Sequence, residues 1–128
     1  MKFKSIFLYF LIGILISSNI AKSQWAKSNG SYGASIMTLA VGGNNIFAGT
    51  DGGVFLSTDN GTNWTAVNNG LTATLFSCIA INGNNIFVGS SDRGVFLSTN
   101  NGSSWAAVND GLTETNVNAL AISNNNIF

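Results

Sequence analysis

The sequence predicts an all-β chain: antiparallel four-stranded blades of an incomplete β-propeller, about two and a half blades, following an N-terminal signal peptide. Three observations carry this reading. The block NNIFAGTDGGVFLSTDNGTNWTAVNNGL, Asn44 to Leu71, returns as NNIFVGSSDRGVFLSTNNGSSWAAVNDGL, Asn84 to Leu112. The repeat length is 40 residues before one inserted residue and 41 after it. Each block splits into four short apolar runs separated by Gly, Asn and Asp, and nothing beyond the signal sustains a helical period. Four strands in about 40 residues is the blade period of a propeller. A β-solenoid is the competing architecture, but its coils repeat at shorter periods with parallel strands. Tight Gly- and Asn-containing turns favour antiparallel hairpins.

The elements follow in chain order. Lys2 and Lys4 precede an apolar run from Ile6 to Ile16, and Ala21-Lys22-Ser23 places small residues before Gln24. This is the pattern of a secretory signal over residues 1–23, cleaved after Ser23. The apolar run is too short for a bilayer span, which needs about 20 residues. The mature part, 24–128, opens on Trp25 to Asn29, the outermost strand of a preceding blade. The first full unit has runs at Ile36–Val41, Ile46–Thr50, Val54–Thr58 and Trp64–Asn68, labelled A to D from the inside outwards. The second unit repeats them, and Asn118 to Phe128 repeats runs A and B of a third. Two blades and a fraction cannot close a ring. The expectation is therefore a piece of a longer protein whose remaining blades complete it, or several copies assembling into one ring.

Composition excludes several functions. Beyond Ser23 the chain has Lys27 and Arg93 against Asp51, Asp59, Asp92, Asp110 and Glu114. A net negative chain with scattered cations does not fit nucleic acid or an anionic membrane surface. There is no His, which removes the usual base for a nucleophile. Cys78 is the lone Cys, and its counterparts Thr38 and Ala119 are also small, so it reads as a small buried residue. Gly-rich GTDGGVF lacks the Lys and the strand-to-helix context of a phosphate loop.

The turn between runs C and D carries the most specific motif. Ser57, Asp59, Gly61 and Trp64 stand in STDNGTNW, and Ser98, Asn100, Gly102 and Trp105 stand in STNNGSSW. The aspartate can accept hydrogen bonds from the turn's own N–H groups. The glycine can take positive φ. The Trp returns into the sheet and buries a large ring. Asn100 can make the same turn as Asp59 without charge, a change a metal site would tolerate poorly. The spacing also departs from an EF-hand, where Gly stands sixth and a Glu closes the loop.

This pattern resembles the Asp-box, or BNR repeat, S/T-x-D-x-G-x-x-W/F, of sialidases, xyloglucan-cleaving glycosidases, sortilin-type receptors and photosystem II assembly factors. The first copy matches completely, and the second departs only at Asn100. The resemblance implies a propeller in which these residues are structural. It does not imply an enzyme. A sialidase needs three arginines and a Tyr–Glu pair; beyond Ser23 the chain has one Arg, and Tyr32 and Glu114 fall in non-equivalent loops. No catalytic residue, cofactor site or metal site is assigned. Asp51, Asp92, Arg93, Asp110 and Glu114 lie in B–C and D–A loops, the face where a propeller binds, and are candidates for ligand contact. The expected function is an exported binding or scaffold module, secreted or on the cell surface of a bacterium. Its ligand would be a carbohydrate or a protein, with no nucleic acid and no membrane span after signal cleavage. The alternative is the N-terminal part of an Asp-box glycoside hydrolase, xyloglucanase- or sialidase-like, with its catalytic residues beyond Phe128.

Overall fold

The structure, a computed structural model, describes residues 33–128. The signal peptide, Trp25–Asn29 and Tyr32 lie outside the described residues. Ten strands follow in chain order. Strands β1 (Ile36–Gly42), β2 (Asn45–Thr50), β3 (Gly53–Ser57) and β4 (Thr65–Ala66) form one antiparallel sheet in sequential order. Strands β5 (Phe76–Asn82), β6 (Asn85–Ser90), β7 (Val95–Ser98) and β8 (Ala106–Ala107) form a second sheet of the same order. A hairpin, β9 (Ile122–Ser123) with β10 (Asn126–Ile127), begins a third unit. The all-β reading and the four-strand division of each repeat hold.

Two differences from the expected strands have local causes. The D run is only two residues of strand, because a side chain takes over its last backbone bond. Val67 N–H donates to the Val54 carbonyl at 2.9 Å, and Val54 N–H then donates to Asn68 Oδ1 at 2.7 Å. Asn109 repeats this on Val95 at 2.8 Å. The third A run is also short. The first half of β1 pairs with Ala48–Thr50, whereas the third unit pairs only Ile122–Ser123 with Asn126–Ile127. Ala121 and Phe128 close the hairpin by exchanging both backbone bonds, at 2.8 and 2.9 Å.

The core lies between the two sheets. Phe47 and Val54 of the first sheet face Phe76, Ile86, Val88 and Phe96 of the second, with Trp105 at the outer end and Ala73 in the connecting loop. The period-2 alternation of each strand sends Phe47 to this side and Ile46 to the other. In the second sheet Ile86 points back to the first, while Phe87 points on towards the hairpin. Each sheet therefore has two apolar sides of different composition, and stacking joins one kind to the other.

Candidate functional site

The two copies of the Ser-x-Asx-x-Gly-x-x-Trp turn have the same geometry. The Ser57 hydroxyl is buried and sits at the hub: it donates to Asp59 Oδ1 at 2.9 Å and accepts from Gly61 N–H at 2.8 Å. Asp59 Oδ1 also accepts from Asn63 N–H at 2.8 Å, and Oδ2 from Asn63 Nδ2 at 2.7 Å. Ser98 and Asn100 reproduce this, with Ser104 in place of Asn63: Ser98 Oγ to Asn100 Oδ1 is 2.9 Å, and Ser104 N–H to Asn100 Oδ1 is 2.9 Å. Asn60 and Asn101 take left-handed φ of 57° and 55°, followed by Gly61 and Gly102 at 84° and 81°. Asn is among the few L residues that adopt this region readily. The carboxylate thus serves the turn's own N–H groups, as the asparagine does. Among the described residues no group of three or more His, Cys, Asp or Glu side chains could hold a metal ion.

The Asn63 backbone N–H is the largest cause of a lowered Asp59 pKa, followed by the Asn63 side chain; the model-compound value is 3.8. A lowered folded-state pKa means that ionised Asp59 stabilises the fold. That contribution is complete above the unfolded value and is lost as pH falls through the folded one. We therefore expect the stability difference between the parent and Asp59→Asn to shrink as the pH is taken from above 3.8 to well below it. Urea midpoints across that range would show it, and a difference independent of pH would contradict the assignment.

The tryptophans of the two turns differ. Trp105 is 6% exposed, whereas Trp64 is half-buried. Trp64 Nε1 donates within its own turn, to the Gly61 carbonyl at 3.1 Å. Trp105 Nε1 reaches into the first sheet, to the Val67 carbonyl at 2.7 Å, and its backbone N–H donates to the Asn69 carbonyl at 2.9 Å. The expectation that Trp64 buries its ring is corrected: the fully buried ring is Trp105, because the first sheet stands against it.

The B–C turns and D–A loops share the opposite end of the sheets, as expected. Asp51 N–H donates to the Ser35 carbonyl at 3.3 Å, and Asp51 Oδ1 accepts from Ser35 N–H at 2.8 Å. Ser91 N–H donates to the Leu75 carbonyl at 3.2 Å, and Gly94 N–H to the Thr115 carbonyl at 2.8 Å. The inserted residue makes a three-residue turn, Ser91-Asp92-Arg93, closed by Ser90 N–H to the Gly94 carbonyl at 2.9 Å. Asp92 and Arg93 form an exposed ion pair, Oδ2 to Nε 3.5 Å. Such a pair contributes little.

Two sets of residues on this face escaped the sequence reading. Thr50 and Ser90 are buried hydroxyls at the end of β2 and β6. Thr50 Oγ1 donates to the Gly53 carbonyl at 2.9 Å and Ser90 Oγ to the Gly94 carbonyl at 3.0 Å. Asn68 and Asn109 brace the start of β3 and β7. The available signal was that a polar residue stands at matching places in both copies. Among the described residues the four buried polar ones, Thr50, Ser57, Ser90 and Ser98, are all turn hydroxyls of this kind.

Asp110 and Glu114 lie apart from the B–C pair. They border a cavity of about 530 Å³ between the second sheet and the terminal hairpin, floored by Phe87, Val95 and Val108. The structure thus joins two of the five ligand candidates at one cavity and leaves Asp51 on one B–C turn and the Asp92–Arg93 pair on the other. The floor residues are the repeat counterparts of Phe47, Val54 and Val67, which pack between the first and second sheets. The cavity is therefore the next inter-sheet seam, partly filled by the hairpin.

With this geometry in place, comparison with known proteins settles the family. Residues 12–127 match the family model described as the DUF6242 beta propeller domain. The chain belongs to that family. A four-stranded sequential sheet, repeated with a constant stacking side, is what a propeller domain requires. Among solved structures, the computationally designed Ika4 protein is similar at 14% identity, with a TM-score of 0.41, over 83% of this chain and 90% of its own. No curated protein matches the sequence.

Proposed function

We propose that this DUF6242 domain chain is an exported binding or scaffold module, secreted or held at the cell surface, and that it has no catalysis of its own. We further propose that the Ser57–Trp64 and Ser98–Trp105 turns are Asp-boxes with a purely structural role. The carrying observation is how the polar side chains are used. Ser57, Asp59, Asn68 and their counterparts are committed to turn backbone, and Asp51 and the Asp92–Arg93 pair are tied locally. What remains for a partner is the loop face, with its acidic rim of Asp110 and Glu114 over an apolar floor. An apolar floor with a few convergent polar groups is the usual form of a binding site. A carbohydrate or a protein surface is the ligand class this supports.

A second reading departs from the hydrolase with catalytic residues beyond Phe128 and takes Asp110 and Glu114 themselves as the acids, since they border one cavity and glycosidases use two carboxyl groups at one site. One experiment separates them. The exported chain is run through native gels containing soluble plant polysaccharides, and the same mixtures are assayed for new reducing ends. Retardation abolished by Asp110→Ala or Glu114→Ala, with no reducing ends, supports the module. Reducing ends lost in those variants would support the hydrolase. Neither effect would remove carbohydrate from the ligand list and leave a protein partner.

A further inference from the structure

The two D–A loops are near copies that change character at four positions. Asn69, Ala73, Leu75 and Ser77 of the first loop stand where Asp110, Glu114, Asn116 and Asn118 stand in the second, while the Gly, Leu and Thr residues among them are kept. In the first loop two of these residues serve the seam between the sheets. Ala73 is buried in its core, and Asn69 Nδ2 donates to the Ser103 carbonyl at 3.3 Å. The second loop reverses both. Glu114 puts a carboxylate at the place of the core alanine, and Asp110 offers only acceptors at the place of the amide donor. Both acids border the cavity of about 530 Å³, a volume within the usual range of ligand pockets. The other acids of the described residues have partners of their own: Asp51 the Ser35 N–H, Asp59 the Asn63 N–H and Asp92 the Arg93 guanidinium. Arg93 is the one cation among the described residues, and no hydrogen bond or ion pair among them engages the Asp110 or Glu114 carboxylate.

We infer that this cavity docks a basic and apolar segment of a partner protein, which rests on the binding-module reading and gives its ligand a chemistry. The Asp110 and Glu114 carboxylates take the head of an arginine or lysine, and Phe87, Val95 and Val108 take an aliphatic or aromatic side chain beside it. Charge complementarity argues for this occupant. Two carboxylates at one apolar cavity repel each other; a guanidinium or ammonium cancels that charge and donates N–H groups to it. Its methylene stem also covers apolar floor. A neutral sugar brings hydroxyl donors and leaves the charge uncompensated, and an anionic partner adds to it.

The test immobilises the full chain, exported and purified, and pans it with a phage-displayed library of random short peptides. Enriched peptides are expected to pair Arg or Lys with Leu, Ile, Val or Phe. The commonest is synthesised with a fluorescent label and titrated by anisotropy. The double variant Asp110→Asn/Glu114→Gln is expected to weaken binding about tenfold or more, the scale of charge-assisted hydrogen bonds. Asp59→Asn removes a charge at the opposite end of the sheets and is expected to bind as the parent does. Circular dichroism would confirm that the sheets persist; if the double variant loses them, each single substitution is titrated alone. The inference is overturned if no peptide is enriched, if enriched peptides carry no cation, or if the acid-site variants bind no more weakly than Asp59→Asn. Polysaccharide retardation that needs Asp110 and Glu114, with no cationic peptide enriched, would keep the binding module and remove this inference. New reducing ends lost in the same variants would remove the module reading, and this inference with it.

Discussion

Replacing Trp105 with alanine is expected to cost about 3–5 kcal/mol of folding stability, the range for truncating a large aromatic side chain in a core. The same change at Trp64 should cost clearly less. The two residues stand in the same motif, so the difference isolates what tertiary contact adds. Trp105 is buried, bonds Val67 across the seam through its indole, and pairs its backbone with Asn69. Among the described residues Trp64 bonds only its own turn, and its ring is half-buried. Removing Trp105 leaves a cavity between sheets and an unpaired carbonyl at Val67. Removing Trp64 leaves a shallower gap that water can enter. Urea unfolding followed by far-ultraviolet circular dichroism would compare them at low protein concentration, where any self-association is weakest. Equal losses would mean that the ring acts within its turn and that the inter-sheet role is wrong.

The second large effect is expected at Gly70. Its φ is +91°, and a Cβ there would run into the Trp105 carbonyl oxygen. That carbonyl cannot retreat easily, since Trp105 N–H is held by Asn69 and its ring by Val67. Gly70→Ala therefore combines left-handed strain, about 1–3 kcal/mol, with overpacking, about 1–3 kcal/mol. Gly111 is the same position one repeat later, at φ +85°, and a Cβ there meets nothing within 4 Å. Gly111→Ala should show the strain without the clash. The difference between the two variants measures how closely the D–A loop of one sheet is pressed by the next. If Gly111→Ala is as damaging as Gly70→Ala, the seam is looser than described.

These paired controls exist because the repeat is covalently regular and spatially interrupted. Strands β1 to β3 and β5 to β7 could be read from the runs Ile36–Val41, Ile46–Thr50 and Val54–Thr58 and their copies, since alternation and turn residues are local properties. The turn at Ser57–Trp64 was also readable, because Asp59 and Gly61 act on backbone within a few residues of themselves. The shortening of β4 was not, since it depends on Asn68 reaching a strand 14 residues away. Nor did spacing reveal that Asp110 and Glu114 border one cavity while Asp51 and Asp92 do not. Those placements depend on how the D–A loop crosses the seam.

The sequence by itself determined the repeat length, the strand order and the chemistry of the Ser57–Trp64 and Ser98–Trp105 turns, because each rests on interactions within a hairpin. Only the tertiary structure decided which of two repeat-equivalent residues is buried: Trp105 and not Trp64, Phe76 and not Ile36. Burial is a property of what stands opposite in space. Two copies of one sequence can present the same side chains while only one of them has a neighbouring sheet to cover it.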